Sequence, residues 1–236
     1  KPGSSICMML KGDIFKDRKE YVTAASFYKE ASKASRLNLK PLQRLASLYS
    51  ETGDSAKFLK QLLAMDKISP LNHSRKISIG EHYSRHGEEA LAQKYYDESI
   101  GIVTAQANDL LASTYMEIGV KLREVNPERG LEYMRQALEA KGSDFSRADL
   151  WRVNEMGLSL RKQGDWRGAV DAYQKALDVI PDEPGLHYNM GMAYFQGKEH
   201  LKALKQFEKA VASSPGILQE SPLIPFNIGM VHYQMR

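Results

Sequence analysis

The stretch "GMAYFQGK", Gly191 to Lys198, holds two glycines and ends in Gly-Lys, the residue types of a loop that wraps phosphate in backbone N–H groups. Such a loop needs Ser or Thr directly after the lysine to hold magnesium. Glu199 stands there instead, and the glycines are one residue too far apart, so the pattern does not support a nucleotide site. A second candidate is the pair His82 and His86, four apart on an expected helix, with Glu81, Glu88 and Glu89 close by. The order "EHYSRH" is not the zinc-protease order, and no third ligand is anchored. His73, His187, His200 and His232 are scattered, and no Ser-His-Asp order, carboxylate pair or dinucleotide fingerprint stands out. No catalytic, metal or cofactor residue is assigned, and the expectation is a chain that is not an enzyme.

Composition narrows the class further. Net charge is +4 over 236 residues, with acidic and basic residues interleaved in "KDRKE" and "NPERG". That is a solvated helical surface, not the dense basic stripe of a nucleic-acid binder. Cys7 is the only cysteine, which rules out a disulfide framework and a cysteine zinc site. No apolar run approaches the ~20 residues that span a bilayer, and "ICMML" lacks a following cleavage site. A cytoplasmic protein without membrane or nucleic-acid partners is the expectation. The chain starts at Lys1 without a methionine, as a fragment would.

The glycines of the opening stretch acquire another purpose when the chain is laid against itself. Gly157, Ala169, Tyr173, Ala176 and Pro181 recur as Gly191, Ala203, Phe207, Ala210 and Pro215, every pair 34 apart. The same interval links Gly12, Ala46 and Gly80, and also Phe15, Tyr49 and Tyr83. Tyr28, Leu62 and Tyr96 hold the bulky place of each second half. A degenerate copy with Gly119, Leu122, Met134 and Ala137 lies between, at spacings of 39 and 38, so the segments "TAQANDL" and "KGSDFSRADL" hold extra loop residues. A last half unit contains Gly229.

Each unit fits two antiparallel helices. The first, of ~13 residues, shows apolar groups at helical spacing, as in Val153, Met156 and Leu160. A turn follows at "ETGD", "RHGE", "KQGD" or "FQGK". The second helix sets Ala, an aromatic and Ala on one face, and Pro70, Pro181 or Pro215 stops it. Gly191 then falls mid-helix, removing bulk where two helices cross, while Gly197 and Lys198 fall in the turn. Phe58 departs from the pattern by standing where a small alanine is expected.

Small-Gly-Tyr in the first helix, Ala-aromatic-Ala in the second and a closing proline resemble the tetratricopeptide repeat. The resemblance runs over essentially the whole chain. It implies an all-α, right-handed α-solenoid of six helix pairs plus a final half repeat. The single array 1–236 divides into N-terminal repeats 1–104, a degenerate repeat 105–145 and C-terminal repeats 146–236. The tryptophan common early in the family's first helix is absent, with Val153 and His187 in that place.

The resemblance also implies a function, the binding of a protein or peptide on the concave surface lined by first helices. Carried onto this chain, the family's ligand-contacting positions are Tyr188, Asn189, Met192 and Phe195 in the last full unit. In the half unit they are Phe226, Asn227, Met230 and Tyr233, and in the unit before, Asn154, Glu155, Leu158 and Arg161. Two readings of this aromatic, Met-rich strip stand: a groove whose asparagines bond a peptide backbone, or packing between neighbouring first helices. The corresponding N-terminal residues, among them Lys40, Gln43, Arg44, Ser47, Glu81, Ser84 and Arg85, are polar and mixed in charge. They are expected to form a solvated surface, with an electrostatic second contact as the other reading. The Lys/Asn and Lys/Arg pattern of the family's carboxylate clamp is not present. A structural spacer or self-association module is the alternative function.

The segments "SPLNHSRKISIGEHYSRHG" and "GLHYNMGMAYFQG" are also similar to tetratricopeptide segments joined to receiver domains in bacterial response regulators. The opening "KP" matches the Lys-Pro near a receiver's end. This second resemblance implies the output segment of a two-component signal-transduction protein, with the phosphorylated aspartate outside these residues. A free-standing assembly adaptor is the other expectation.

Overall fold

The computed structural model describes residues 4–104, 108–216 and 222–235. Among them are thirteen α-helices, two short 3-10 turns and no strand. The chain divides into two compact units, Lys1–Gln106 and Ala107–Arg236. The N-terminal unit holds three antiparallel pairs: α1 (Ser5–Asp17) with α2 (Tyr21–Ala34), α3 (Leu39–Glu51) with α4 (Ser55–Ile68), and α5 (His73–Arg85) with α6 (Glu89–Thr104). The C-terminal unit pairs α7 (Asn108–Leu122) with α8 (Pro127–Lys141), α9 (Leu150–Lys162) with α10 (Trp166–Val179), and α11 (Pro184–Gln196) with α12 (His200–Ser213). A single helix, α13 (Leu223–Gln234), follows and packs on α12.

Four of the six pairs close on a ring set over a missing side chain. A Cβ on Gly191 would meet Phe207 Cε1 at 2.6 Å, and one on Gly12, Gly80 or Gly157 would collide with the ring of Tyr28, Tyr96 or Tyr173. All four rings are buried, Tyr28, Tyr96 and Phe207 fully so. The buried Tyr28 hydroxyl donates to Asp13 Oδ1 at 2.7 Å, so burying the phenol leaves it satisfied. Gly191 is thus the mid-helix spacer expected from the repeat. In α3 and α4 the roles pass to Ala46 and Leu62, which share a buried cluster with Met65 and Ile79. Phe58 does not block this crossing. It is half-buried and touches the cores of both the first and the second pair.

The degenerate pair α7–α8 makes the closest backbone approach. A Cβ on Gly119 would meet the Gly130 carbonyl oxygen at 2.7 Å, and Met134 replaces the ring. Met116 and Met134 are fully buried beside it. Thioether side chains are unbranched and fill such irregular space without a fixed shape.

The turn inside a pair is closed by one recurring backbone bond. The N–H groups of Glu20, Asp54, Glu88, Asp165 and Glu199 each donate, at 2.9 Å, to the carbonyl five residues earlier. Closure of that kind needs a left-handed residue just before the donor. Gly53, Gly87 and Gly164 supply it with φ of +72°, +76° and +84°. "FQGK" is not equivalent to the other three turns: there Lys198 takes the left-handed place at φ +60°, as Lys19 does in the first pair at +62°. Gly197, one residue earlier at φ −76°, serves a different need, because a Cβ on it would run into the indole of Trp166.

Second helices end as the prolines require. Ser69, Ile180 and Ser214, each directly before a proline, leave the helical region with ψ of 83°, 78° and 90°. Between α8 and α9 the connection Gly142–Asp149 is eight residues long, the extra loop expected at "KGSDFSRADL". The other expected insertion, "TAQANDL", lies largely outside the described residues. Asp149 ties the long connection down. Its Oδ2 accepts from the Ser146 N–H and hydroxyl, both at 3.0 Å, and its Oδ1 pairs with Arg152 and with Lys141 Nζ at 3.4 Å. Arg152 also donates to Ser113 Oγ at 2.7 Å, so the cluster joins α7, α8 and α9. Burial alone pushes the Asp149 carboxyl up. The two Ser146 bonds and the charges of Arg152 and Lys141 outweigh it and hold the carboxyl below the ordinary carboxylate range.

Two predictions follow from the turns and the clamp. Lys198→Gly removes left-handed strain and raises the thermal stability by roughly 0.5 kcal/mol, whereas Gly197→Ala lowers it through the Trp166 contact. Opposite signs in thermal melts are the expected result, and equal signs contradict the geometry. Asp149→Asn, which leaves Arg152 buried without its carboxylate, costs about 3 kcal/mol at neutral pH. The Asp149 contribution is fully present above the ordinary carboxylate pKa and is lost as pH falls through the lowered folded value. The melting difference between wild type and variant therefore shrinks in acid, and an undiminished difference at the lowest accessible pH contradicts the assignment.

Candidate partner-binding surface

In the C-terminal unit, α9, α11 and α13 carry the strip expected to meet a ligand. Consecutive first helices are joined there by side-chain bonds. Asn189 Nδ2 donates to Asn154 Oδ1 at 2.9 Å, Asn227 Nδ2 to the Tyr188 hydroxyl at 2.8 Å, and Gln196 Nε2 to the Arg161 carbonyl at 2.7 Å. The two asparagines at equivalent places therefore already bond their neighbours. In this arrangement each spends one donor, and the Asn189 carbonyl oxygen has no protein partner among the described residues.

The aromatic positions split into two kinds. Tyr188, Met192 and Phe195 are half-buried against the cluster of Ala203, Phe207 and Val231, with the Tyr188 ring 5.7 Å from Phe207. These three contribute to packing. Phe226 and Tyr233 on α13 are 62% and 71% exposed, more than packing on α12 explains. Met230 lies between them and is half-buried. On α9, Leu158 is 39% exposed, Glu155 pairs with Arg123, the residue after α7, and Arg161 lies near the buried phenol of Tyr173. Arg161 is half-buried, and its buried Nε has no hydrogen-bond partner among the described residues.

One exposed residue was missed from the sequence. Trp151 is 46% exposed and lies three residues before Asn154 and seven before Leu158, on the same stripe of α9. The Arg152 guanidinium stacks over its ring at 4.8 Å from the centroid. The signal was the helical spacing, one turn beyond the family's own contact positions.

The histidine pair has a local explanation. The rings of His82 and His86 stack with centroids 4.2 Å apart, and His86 Nδ1 lies 2.7 Å from the His82 carbonyl oxygen. Burial, followed by the neighbouring His86, pushes the His82 pKa down. No group of three or more His, Cys, Asp or Glu is placed to hold a metal ion among the described residues. No helix among them is long and apolar enough to cross a membrane.

Comparison with known proteins places the architecture. A family model described as TPR repeat matches residues 157–198, and one described as tetratricopeptide repeat matches residues 184–216. The chain is similar to tetratricopeptide repeat protein 29 of Trypanosoma brucei brucei, 24% identical over 127 residues. That match covers 50% of this chain and 26% of the relative, so it spans about a quarter of the relative's length. Among solved structures, a tetratricopeptide repeat protein from Parabacteroides merdae covers 97% of this chain and 84% of its own, at TM-score 0.52 and 14% identity. The C-terminal part of a TPR repeat-containing protein from Cytophaga hutchinsonii covers 88% and 80%, at TM-score 0.56 and 16% identity. Those likenesses bear on the fold. The family's models match residues 157–216, so that part of the chain carries tetratricopeptide repeats, and glycine–ring pairs of the same kind occur twice in each unit.

Proposed function

We propose that the C-terminal unit is a non-enzymatic scaffold surface that captures a segment of another protein along α9, α11 and α13. The observation that supports it is the pair of exposed rings, Phe226 and Tyr233, on the stripe that continues through Leu158 and Trp151. Large aromatic side chains left in water are the usual anchors of protein interfaces, since burying them removes much apolar area at low entropic cost. Asn154, Asn189, Asn227 and Tyr188 form a bonded ladder that holds the first helices in register beneath the bound segment. Met192 and Phe195 complete the apolar floor and Met230 adjusts to the partner. Arg161 stands on α9 as the cation of the contact set. Tetratricopeptide repeats bind protein or peptide partners in general, and this reading assigns the partner to one face.

The signalling-output reading rests on the resemblance of residues 69–87 and 185–197, while the opening Lys1 and Pro2 lie outside the described residues. Self-association through the same strip is the competing occupant, and it is distinguished by the oligomeric state.

The test separates packing residues from contact residues. Phe226→Ala and Tyr233→Ala weaken a partner captured on the immobilised protein by about 2 kcal/mol each, with helicity and melting temperature unchanged. Tyr188→Ala and Phe195→Ala weaken binding and also lower the melting temperature, because both rings support the Phe207 cluster. Normal binding by the Phe226 and Tyr233 variants sinks the proposal. A shift from dimer to monomer in those variants, with no foreign partner, replaces it with self-association.

A further inference from the structure

The C-terminal unit holds a cavity of about 380 Å³ between the second helices α8 and α10. Its floor is Val153, Met156 and Leu160 of α9, and its walls are Leu138 of α8 with Ala172 and Ala176 of α10. Phe145, from the eight-residue connection between α8 and α9, lies at the end where α8 and α10 both stop. The Asp149 clamp holds that connection in place. Four charged residues also line the cavity, Arg135, Glu139, Asp171 and Lys175. All four are exposed, so they form the rim and leave the interior without a polar side chain.

The next crevice along the unit has the opposite chemistry. It lies between α10 and α12, encloses about 340 Å³, and has His187 and Gln206 in its lining. His187 Nδ1 is 2.9 Å from Gln206 Oε1, and its Nε2 is 2.9 Å from the Pro181 carbonyl oxygen. Thirty-four residues earlier, the places of His187 and Gln206 are taken by Val153 and Ala172. That exchange removes both polar groups and cuts the α10 wall back to a methyl. A water molecule between α8 and α10 therefore meets no buried polar side chain, whereas a hydrocarbon finds apolar contacts from three helices.

We infer that this cavity binds a small uncharged aliphatic molecule, with its chain against Met156 and its polar end at the rim. An apolar cavity of roughly 150 Å³ takes one benzene, so about 380 Å³ suits a chain of ~10–15 carbons. The unbranched thioether of Met156 adapts to chains of different shape. At the rim, Lys175 is paired with Asp171 at 3.0 Å and Arg135 with Glu132 at 3.6 Å. A charged head of either sign meets a like charge there, while a hydroxyl finds both donors and acceptors. None of the lining residues belongs to the partner strip, so the two surfaces are tested independently.

The probe is 1-decanol, titrated below its solubility limit into the whole chain, with decanoate and decylammonium as charged counterparts. Saturable binding at a single site is expected, together with a raised melting temperature and a shifted Met156 methyl resonance. Decanol binds about fivefold or more tightly than either ion. Ala172→Gln installs the residue that α12 carries at the equivalent place and lowers the affinity by about tenfold or more, with an unchanged far-UV circular dichroism spectrum. Should that variant fail to fold, the Met156 methyl of the wild-type chain decides alone. Phe226→Ala binds decanol normally. Tighter binding of either ion, uptake that does not saturate, an unshifted Met156 methyl, full affinity in Ala172→Gln, or a loss in Phe226→Ala would each overturn the proposal.

Discussion

An aromatic ring from the second helix lies where the first helix has no side chain, and most of the structure depends on that contact. It lets two helix backbones approach closely while still burying a large apolar group, which neither two alanines nor two aromatics achieve. Tyr28, Tyr96, Tyr173 and Phe207 are the bulk of their pairs, and Gly12, Gly80, Gly157 and Gly191 are the space that receives them. Because the contact is internal to a pair, each pair has its own small core, and stacking then adds the interface between neighbours. The pair α7–α8 shows the limit of the scheme. With Met134 for the ring, the helices approach until Gly119 meets the backbone at Gly130.

Two surfaces follow from which face this contact leaves over. Once the ring side of a first helix is buried, the residues three and two places before the small residue and one and four after it lie on another face. On α11 they are largely drawn into packing by the Phe207 cluster, and on α13 the outer two, Phe226 and Tyr233, stay in water. On α1 the two places before the small residue hold Met9 and Leu10, and on α3 they hold Gln43 and Arg44, the four lining one groove. One geometry thus displays an aromatic strip in one unit and a split apolar and cationic groove in the other.

How far the sequence revealed this depends on whether a feature repeats. The helix pairs, the buried small residues and the proline stops were legible, since each recurs at 34 residues and has one physical purpose. The turn at "FQGK" fell where expected, but its left-handed residue, Lys198, was not legible, because glycine suits both a left-handed backbone and a close approach by Trp166 and spacing alone does not separate them. The bond from Asn189 to Asn154 was hidden for a related reason: an amide on that face bonds a neighbouring helix as readily as a ligand. The Asp149 clamp belongs to an insertion without a second copy, so no internal comparison could expose it. Trp151 was visible as a large residue, but the family positions stop one helical turn short of it.

The bond that closes five of the turns uses only main-chain atoms, at the same 2.9 Å each time. It places no demand on neighbouring units and little on side-chain identity, since lysine fills the left-handed place at two of the five. A duplicated or transplanted stretch of 34 residues therefore arrives with its hairpin already specified, and only its outer faces must be adjusted to new neighbours. Such a segment can be copied before its surface has acquired any task, leaving later substitutions on the solvent-facing helix positions to differentiate the copies.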